Sequence, residues 1–211
     1  MWKNFDERVI VLSHGDSIPV VSDYPAKLGA LIRANKPLNV EVYNQSVGGA
    51  GFVYTGFTSI LNTLATTTID PIIRTRTPSR RVVLIIDAGT NDIWLAGQTA
   101  AQTYAAFETY LLARIAAGLP ATDIYVETIL PRSHGNPGVA AAFEVIRQDY
   151  ITLVVAGAGT HGYNLVRRDL NTDIGDFGDE QNATYYGDMI HLNSVAGGAK
   201  ADDLTYSVIY P

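Results

Sequence analysis

Residues 8–17 read Arg8-Val9-Ile10-Val11-Leu12-Ser13-His14-Gly15-Asp16-Ser17, an apolar, β-branched run that breaks directly into glycine, aspartate and serine. A run without polar alternation is what a parallel strand covered on both faces looks like, because each side of the pleat meets a core. Runs of the same kind follow at 39–43, 81–87, 123–129 and 162–166. Between them lie stripes of helical period. Tyr104, Phe107, Leu111 and Ile115 recur at three and four residues until Gly118 and Pro120 stop the helix, and Phe143, Ile146, Tyr150 and Leu153 form a second stripe. Leu28, Leu31 and Ile32 mark a shorter helix after Pro25, a good first-turn residue; a last helix is predicted from Asn193 or Ser194, carrying Leu204 and Val208. Strands alternating with helices predict a three-layer α/β/α sandwich around a central five-stranded parallel sheet with right-handed crossovers. No linker, repeat or low-complexity tract interrupts it, so residues 1–211 read as one domain.

Composition narrows the partners. A chain of 211 residues can bury a sizeable core, and 47% hydrophobic against 17% charged residues is a globular balance. The net charge of −6 gives no electrostatic reason to bind nucleic acid, whose phosphates demand clustered Lys and Arg. Arg74, Arg76, Arg80 and Arg81 are the one small basic run, read as a solvated loop around Pro71 and Pro78. Without cysteine, neither a disulfide framework nor a thiolate metal site can form. No apolar run reaches the roughly 18 residues of a membrane span. Met1 to Arg8 lacks a signal-peptide apolar stretch. The compartment therefore stays open: a soluble protein, secreted if a leader precedes this stretch.

In open α/β sheets, ligands sit outside the carboxyl ends of the strands. The polar motifs fall at those ends: Gly15-Asp16-Ser17 after the first run, residues 44–49 after the second, Gly89-Thr90-Asn91-Asp92 after the third. A serine hydroxyl becomes a useful nucleophile only when a base removes its proton, and that base needs a partner to fix its tautomer. Asp188-Met189-Ile190-His191 offers a carboxylate and an imidazole three residues apart, a spacing that a tight turn can close. Taken singly, each motif reads better as a turn or a helix cap than as a catalytic element. Other templates are absent. Tyr54 stands where a dinucleotide fingerprint starting at Gly49 needs its third glycine, and Pro19 occupies the last position of a would-be G-x-S-x-G elbow.

Taken together and in order, the blocks resemble those of the SGNH (GDSL-like) hydrolases. Gly15-Asp16-Ser17 matches their first block and Asn44 with Gly49 the second. Gly89-Thr90-Asn91-Asp92 matches the third, and Asp188, His191, Asn193 and Gly197 the last. The blocks span residues 15–197, nearly the whole chain. The resemblance implies the flavodoxin-like SGNH fold, with Ser17 as nucleophile, His191 as general base and Asp188 as its orienter. It also implies an oxyanion hole from the Ser17 and Gly49 N–H groups and the Asn91 amide, with Asp16 and Asp92 structural. Ile18 replaces the leucine common after G-D-S, and His14 before the motif is unusual.

That resemblance implies an esterase working through an acyl-serine intermediate, with no cofactor and no metal. Its expected substrate is a small acyl ester or an acetylated carbohydrate. The alternatives are an inactive carbohydrate-binding or virion structural module of the same fold, and a longer-chain lipase or thioesterase. Residues 169–186 and the 131–137 loop are polar, so the rim is expected to suit a hydroxyl-rich alcohol and a short acyl group. Asp169, Asp173, Asp176 and Asp179 miss the spacing of an EF-hand and read as a solvated loop, with a bound calcium the alternative. His134 and His161 lack partners at ligand spacing. Trp94, Tyr185 and Tyr186 stand beside the motifs, as pocket wall or as core. Oligomeric state is not legible.

Overall fold

Alternate residues of the first strand enter opposite helical layers. The computed structural model describes residues 8–35, 39–54, 60–133 and 137–209. The elements run β1 (Arg8–Gly15), α1 (Ser17–Val21), α2 (Tyr24–Asn35), β2 (Asn39–Asn44), α3 (Leu61–Thr68), α4 (Asp70–Ile73) and β3 (Arg80–Asp87). They continue with α5 (Thr90–Trp94), α6 (Ala100–Ala116), β4 (Ile124–Glu127), α7 (Pro137–His161), β5 (Asn164–Val166) and α8 (Ser194–Ile209). The five strands form one parallel sheet in the order β2-β1-β3-β4-β5.

On one face, Ile10, Leu12, Val82, Leu84 and Ile86 pack with Leu61, Phe107, Leu111, Phe143 and Tyr150 from α3, α6 and α7. On the other, Val9, Val11, Val83 and Ile85 pack with Tyr24, Leu28 and Ile32 of α2 and Ala201 of α8. The period-2 alternation therefore feeds two cores rather than one core and solvent, which is why these strands carry no polar face. The three-layer α/β/α sandwich around a five-stranded parallel sheet is as expected from the sequence. A third cluster, Ile18, Leu130, Ile174, Tyr186, Leu192 and Ala196, binds the loops that follow the strands.

From β1 the chain builds outward to β2 and then crosses back to β3 on the other side of β1. The connections after β1 and β3 thus diverge, leaving a crevice at their carboxyl ends. Ser17 stands on one side of it and Asn91 on the other.

Several local readings are corrected. The fourth and fifth strands are shorter than 123–129 and 162–166, and α3 and α4 fill a stretch for which no element was expected. The basic run is not simply solvated: Arg81 Nε bonds Asp123 Oδ1 at 2.7 Å and Arg76 reaches Oδ2 of the same carboxylate at 3.4 Å. His161 has a partner, Glu108, at 2.8 Å. His134 lies outside the described residues.

Candidate active site

The G-D-S block sits where β1 turns into α1. Asp16 caps that helix, its Oδ1 accepting the Ile18 N–H at 2.9 Å, and its own N–H continues the sheet to the Asp87 carbonyl at 3.1 Å. The cap fixes the turn that lifts Ser17 out of the strand end. The second block is tied to the same place. Gln45 and Val47 donate backbone bonds to Ser13 and Gly15, and Asn44 Nδ2 donates to the Pro19 carbonyl at 3.1 Å.

The D-x-x-H block folds into a tight turn. Asp188 Oδ1 accepts the Ile190 and His191 N–H groups at 3.1 and 2.7 Å, while Gly187 N–H bonds the His191 carbonyl at 2.9 Å. Met189 adopts a φ of 63° to make this possible, a left-handed conformation costly for a non-glycine residue. The turn leaves Asp188 Oδ2 2.7 Å from His191 Nδ1, and His191 Nε2 2.8 Å from Ser17 Oγ. Placing the Nδ1 proton toward the carboxylate leaves the Nε2 lone pair facing the Ser17 hydroxyl. Burial pushes the Asp188 carboxyl up, but the His191 side-chain and backbone hydrogen bonds outweigh it and hold the pKa below the usual value. The Asp188 side chain is 54% exposed and that of His191 23%, so the base is within reach of solvent.

Two helices hold this turn against Ser17. Asn193 Oδ1 accepts from Val195 and Ala196 at the start of α8. Gly197 on that helix lies so close to α1 that an added Cβ would stand 2.1 Å from the Ser22 carbonyl oxygen. Only glycine allows this approach, which seats the His191 segment beside Ser17.

Three hydrogen-bond donors belong to the segments that border the crevice. Gly49 has a φ of 77°, which turns its loop at the strand end. Gly48 lies against Ser17: an added Cβ would be 4.0 Å from Ser17 Cβ. Neither the Ser17 nor the Gly49 N–H has a partner among the described residues. Asn91, at the start of α5, spends one amide hydrogen on the Ala50 carbonyl at 2.8 Å and keeps the other. Asp92 accepts from Phe52, Val53 and Tyr54 at 2.9, 2.7 and 2.9 Å, pinning the chain that leaves Gly49.

Sequence reasoning did not find the charged cluster under this rim. Lys200 of α8 bonds Asp87 and Glu127, at the ends of β3 and β4, at 2.5 and 2.7 Å, and Arg168 reaches Glu127 at 3.4 Å. All are at least nine-tenths buried. Burial raises the Glu127 carboxyl, but Lys200 and Arg168 pull it below its usual pKa. Asp87 and Glu127 at the ends of otherwise apolar strands were the available signal. His14 is also buried, its Nδ1 2.6 Å from the Tyr110 hydroxyl, and burial followed by the Arg114 charge brings its pKa down to about 3. It stays neutral at neutral pH.

The flanking aromatics divide. Tyr186 is buried and its hydroxyl donates to the Ile174 carbonyl at 2.7 Å, which makes it packing rather than pocket wall. Tyr185 is half-buried against the third cluster. Trp94 packs edge-on against Phe143, beneath Arg132. The rim is less polar than expected. Val20, Val21, Val53, Leu95 and Met189, each within a few residues of a site block, are 42–53% exposed, whereas Arg132 and Ser133 of the 131–137 loop are buried. Asp169 is paired with Arg167 and Thr128 rather than solvated, and no cluster fit for a metal occurs among the described residues. A separate cleft of about 510 Å³, lined by Thr99, Ala100, Ile146, Asp149 and Leu153, shares none of the site residues. No helix among the described residues is long and apolar enough to cross a membrane.

No protein-family model and no curated protein matches the chain. Solved structures do. An aryl esterase of M. smegmatis aligns at 17% identity with a TM-score of 0.67, covering 96% of this chain and 98% of its own. A carbohydrate acetylesterase family member of Sinorhizobium meliloti aligns at 16% identity and a TM-score of 0.65, over 94% and 96%. A member of the lipolytic protein G-D-S-L family from Veillonella parvula aligns at 16% identity and 0.61, over 96% and 98%. This is the SGNH-hydrolase fold. At such identities the likeness concerns the backbone.

Proposed function

We propose that this chain is a carboxylic ester hydrolase acting through an acyl-serine intermediate. The observation that carries the reading is the unbroken relay from Asp188 through His191 to Ser17, with contacts of 2.7 and 2.8 Å. Ser17 Oγ attacks the ester carbonyl while His191 Nε2 takes its proton. The oxyanion forms among the Ser17 N–H, the Gly49 N–H and the free Asn91 amide hydrogen, donors already in place before charge develops. His191 then gives its proton to the leaving alkoxide, the alcohol departs, and the acyl group stays on Ser17. Water follows the same route: His191 takes its proton, hydroxide attacks the acyl carbon, and the carboxylic acid leaves as Ser17 regains its hydrogen.

The acyl group is short, acetyl by preference, and the alcohol a carbohydrate hydroxyl. The fold-mates named for aryl and acetyl esters support this, as does the polar 169–186 segment. The exposed aliphatic side chains come from several segments, Val20 and Val21 from α1 and Val53, Leu95 and Met189 from elsewhere. The test is a series of 4-nitrophenyl esters from acetate to dodecanoate, with Ser17→Ala as control. Turnover should peak at acetate or butyrate, and Ser17→Ala should abolish it and block labelling by a fluorophosphonate. Activity retained in Ser17→Ala would overturn the mechanism, and a steady rise toward dodecanoate the acyl assignment.

A further inference from the structure

Arg132 comes from the loop after β4, on the same edge as the site, and is 6% exposed. Its guanidinium carbon lies 4.6 Å from the centroid of the Trp94 ring. It senses the carboxyls of Asp16 and Asp188. Yet among the described residues it makes no hydrogen bond or ion pair, and its Nε is buried without a partner. Its surroundings place it beside the site blocks. Trp94 is one helical turn beyond Asn91, Asp16 precedes Ser17, and the next residue, Ser133, donates its N–H to the Met189 carbonyl at 3.3 Å.

A guanidinium carries five donors in a rigid fork, and burying even one of them unpaired, as at Arg132 Nε, is costly. Burial lowers the Arg132 pKa to about 10, with Asp16 and Asp188 opposing, so the group remains charged at neutral pH. Its acidic neighbours do not use it. Asp188 spends its oxygens on His191 and Ile190. Burial, reinforced by Asp87, raises the Asp16 carboxyl to about 8, leaving it protonated at neutral pH. What remains is a fixed, oriented cation with unspent donors at the edge of an ester site.

We propose that Arg132 is a specificity-determining residue that receives a carboxylate carried by the substrate a few bonds from the scissile ester. The substrates are then esters of acidic molecules, such as O-acylated acidic sugars or hydroxy acids. The Trp94 face restricts how the planar fork is oriented, so that two parallel N–H donors meet the two carboxylate oxygens. This rests on the ester-hydrolase reading above and narrows its substrate class.

The experiment uses two matched pairs of esters. In one the acyl side carries the charge, 4-nitrophenyl hydrogen succinate against its methyl ester. In the other the alcohol side does, 4-acetoxybenzoate against methyl 4-acetoxybenzoate. The protein should prefer the carboxylate member of at least one pair by about tenfold in kcat/KM, the scale of one charge-assisted hydrogen bond. Arg132→Gln should erase that preference, losing about tenfold more on the charged ester than on the neutral one. Arg132→Lys, with charge but no fork, should keep part of it. Equal treatment of both members in both pairs, or an equal loss on both in Arg132→Gln, overturns the assignment. If Arg132→Gln does not fold, the parent preference and its partial retention in Arg132→Lys decide the same question. Failure to hydrolyse any of the four esters would instead overturn the esterase reading itself.

Discussion

The Asn91 amide donates one hydrogen to the Ala50 carbonyl at 2.8 Å, one residue beyond Gly49. That bond couples the loops after β2 and β3 and fixes which way the second amide hydrogen points. A donor held by its own neighbour needs no reorganisation when negative charge appears.

Asn91→Ala should therefore lower kcat by on the order of 10²-fold or more while changing KM little, because the amide meets the oxyanion rather than the ground-state carbonyl. Steady-state kinetics on 4-nitrophenyl acetate separates the two parameters. A change confined to KM would reassign Asn91 to substrate binding.

Asp188 and His191 should not be equivalent. His191→Ala removes the base outright. Asp188→Asn keeps an oxygen for the turn N–H groups but can place an amide against Nδ1, favouring the wrong tautomer, a defect of about 10⁴-fold in well-studied triads. Measured side by side, kcat should fall in both variants and further in His191→Ala. An Asp188→Asn variant as fast as the parent would remove Asp188 from the mechanism.

Legibility in the sequence followed the range of the interaction. Val9, Ile10, Val11 and Leu12 announced a doubly covered strand because each apolar residue needs only its own side of the pleat to be buried. Asp188 and His191 were legible because three residues of chain suffice to close their contact. Asp123 with Arg76 and Arg81, 47 and 42 residues apart, was not, nor was Lys200 with Asp87 across 113 residues. Burial of charge is decided by the assembled sheet. The helices at α3 and α4 escaped for a different reason: Thr63, Thr66, Thr67 and Thr68 dilute the apolar stripe, and three of them, Thr66, Thr67 and Thr68, bond back to helix carbonyls. Arg132 was not singled out because it lies in the polar 131–137 loop, and the Trp94 ring on which its side chain lies comes from another segment.

Asp92 should matter to both stability and activity. Its carboxyl is fully buried and accepts three backbone N–H groups from residues 52–54. Asp92→Ala leaves those donors unsatisfied next to Gly49, a loss of roughly 2–4 kcal/mol judged by charge-assisted bonds and orphaned buried groups. Urea unfolding should show this, and kcat should fall because the loop bearing Gly49 is no longer pinned. Unchanged stability in Asp92→Ala would mean that the loop is held by other contacts.

Asp16 should leave a signature in the pH dependence of folding. Its carboxyl is pushed from 3.8 up to about 8, first by burial and then by Asp87, against the opposing pull of the Ile18 N–H and the Arg132 and Lys200 charges. The folded protein thus holds a proton that the unfolded chain has already released across that window. Stability from this group is complete below the unfolded value and is lost as pH rises toward the folded one. Asp16→Asn keeps an oxygen to accept the Ile18 N–H but cannot ionise, so it lacks this slope. Measured by urea unfolding at about pH 5, 6, 7 and 8, the parent should lose stability relative to Asp16→Asn as pH rises. Asp87, Glu127 and Lys200 are present in both proteins, so their own titration largely cancels in the difference. A difference that stays constant, or that grows in the parent's favour with pH, would mean that Asp16 is ionised in the fold and that its neighbours, Arg132 first, compensate its charge.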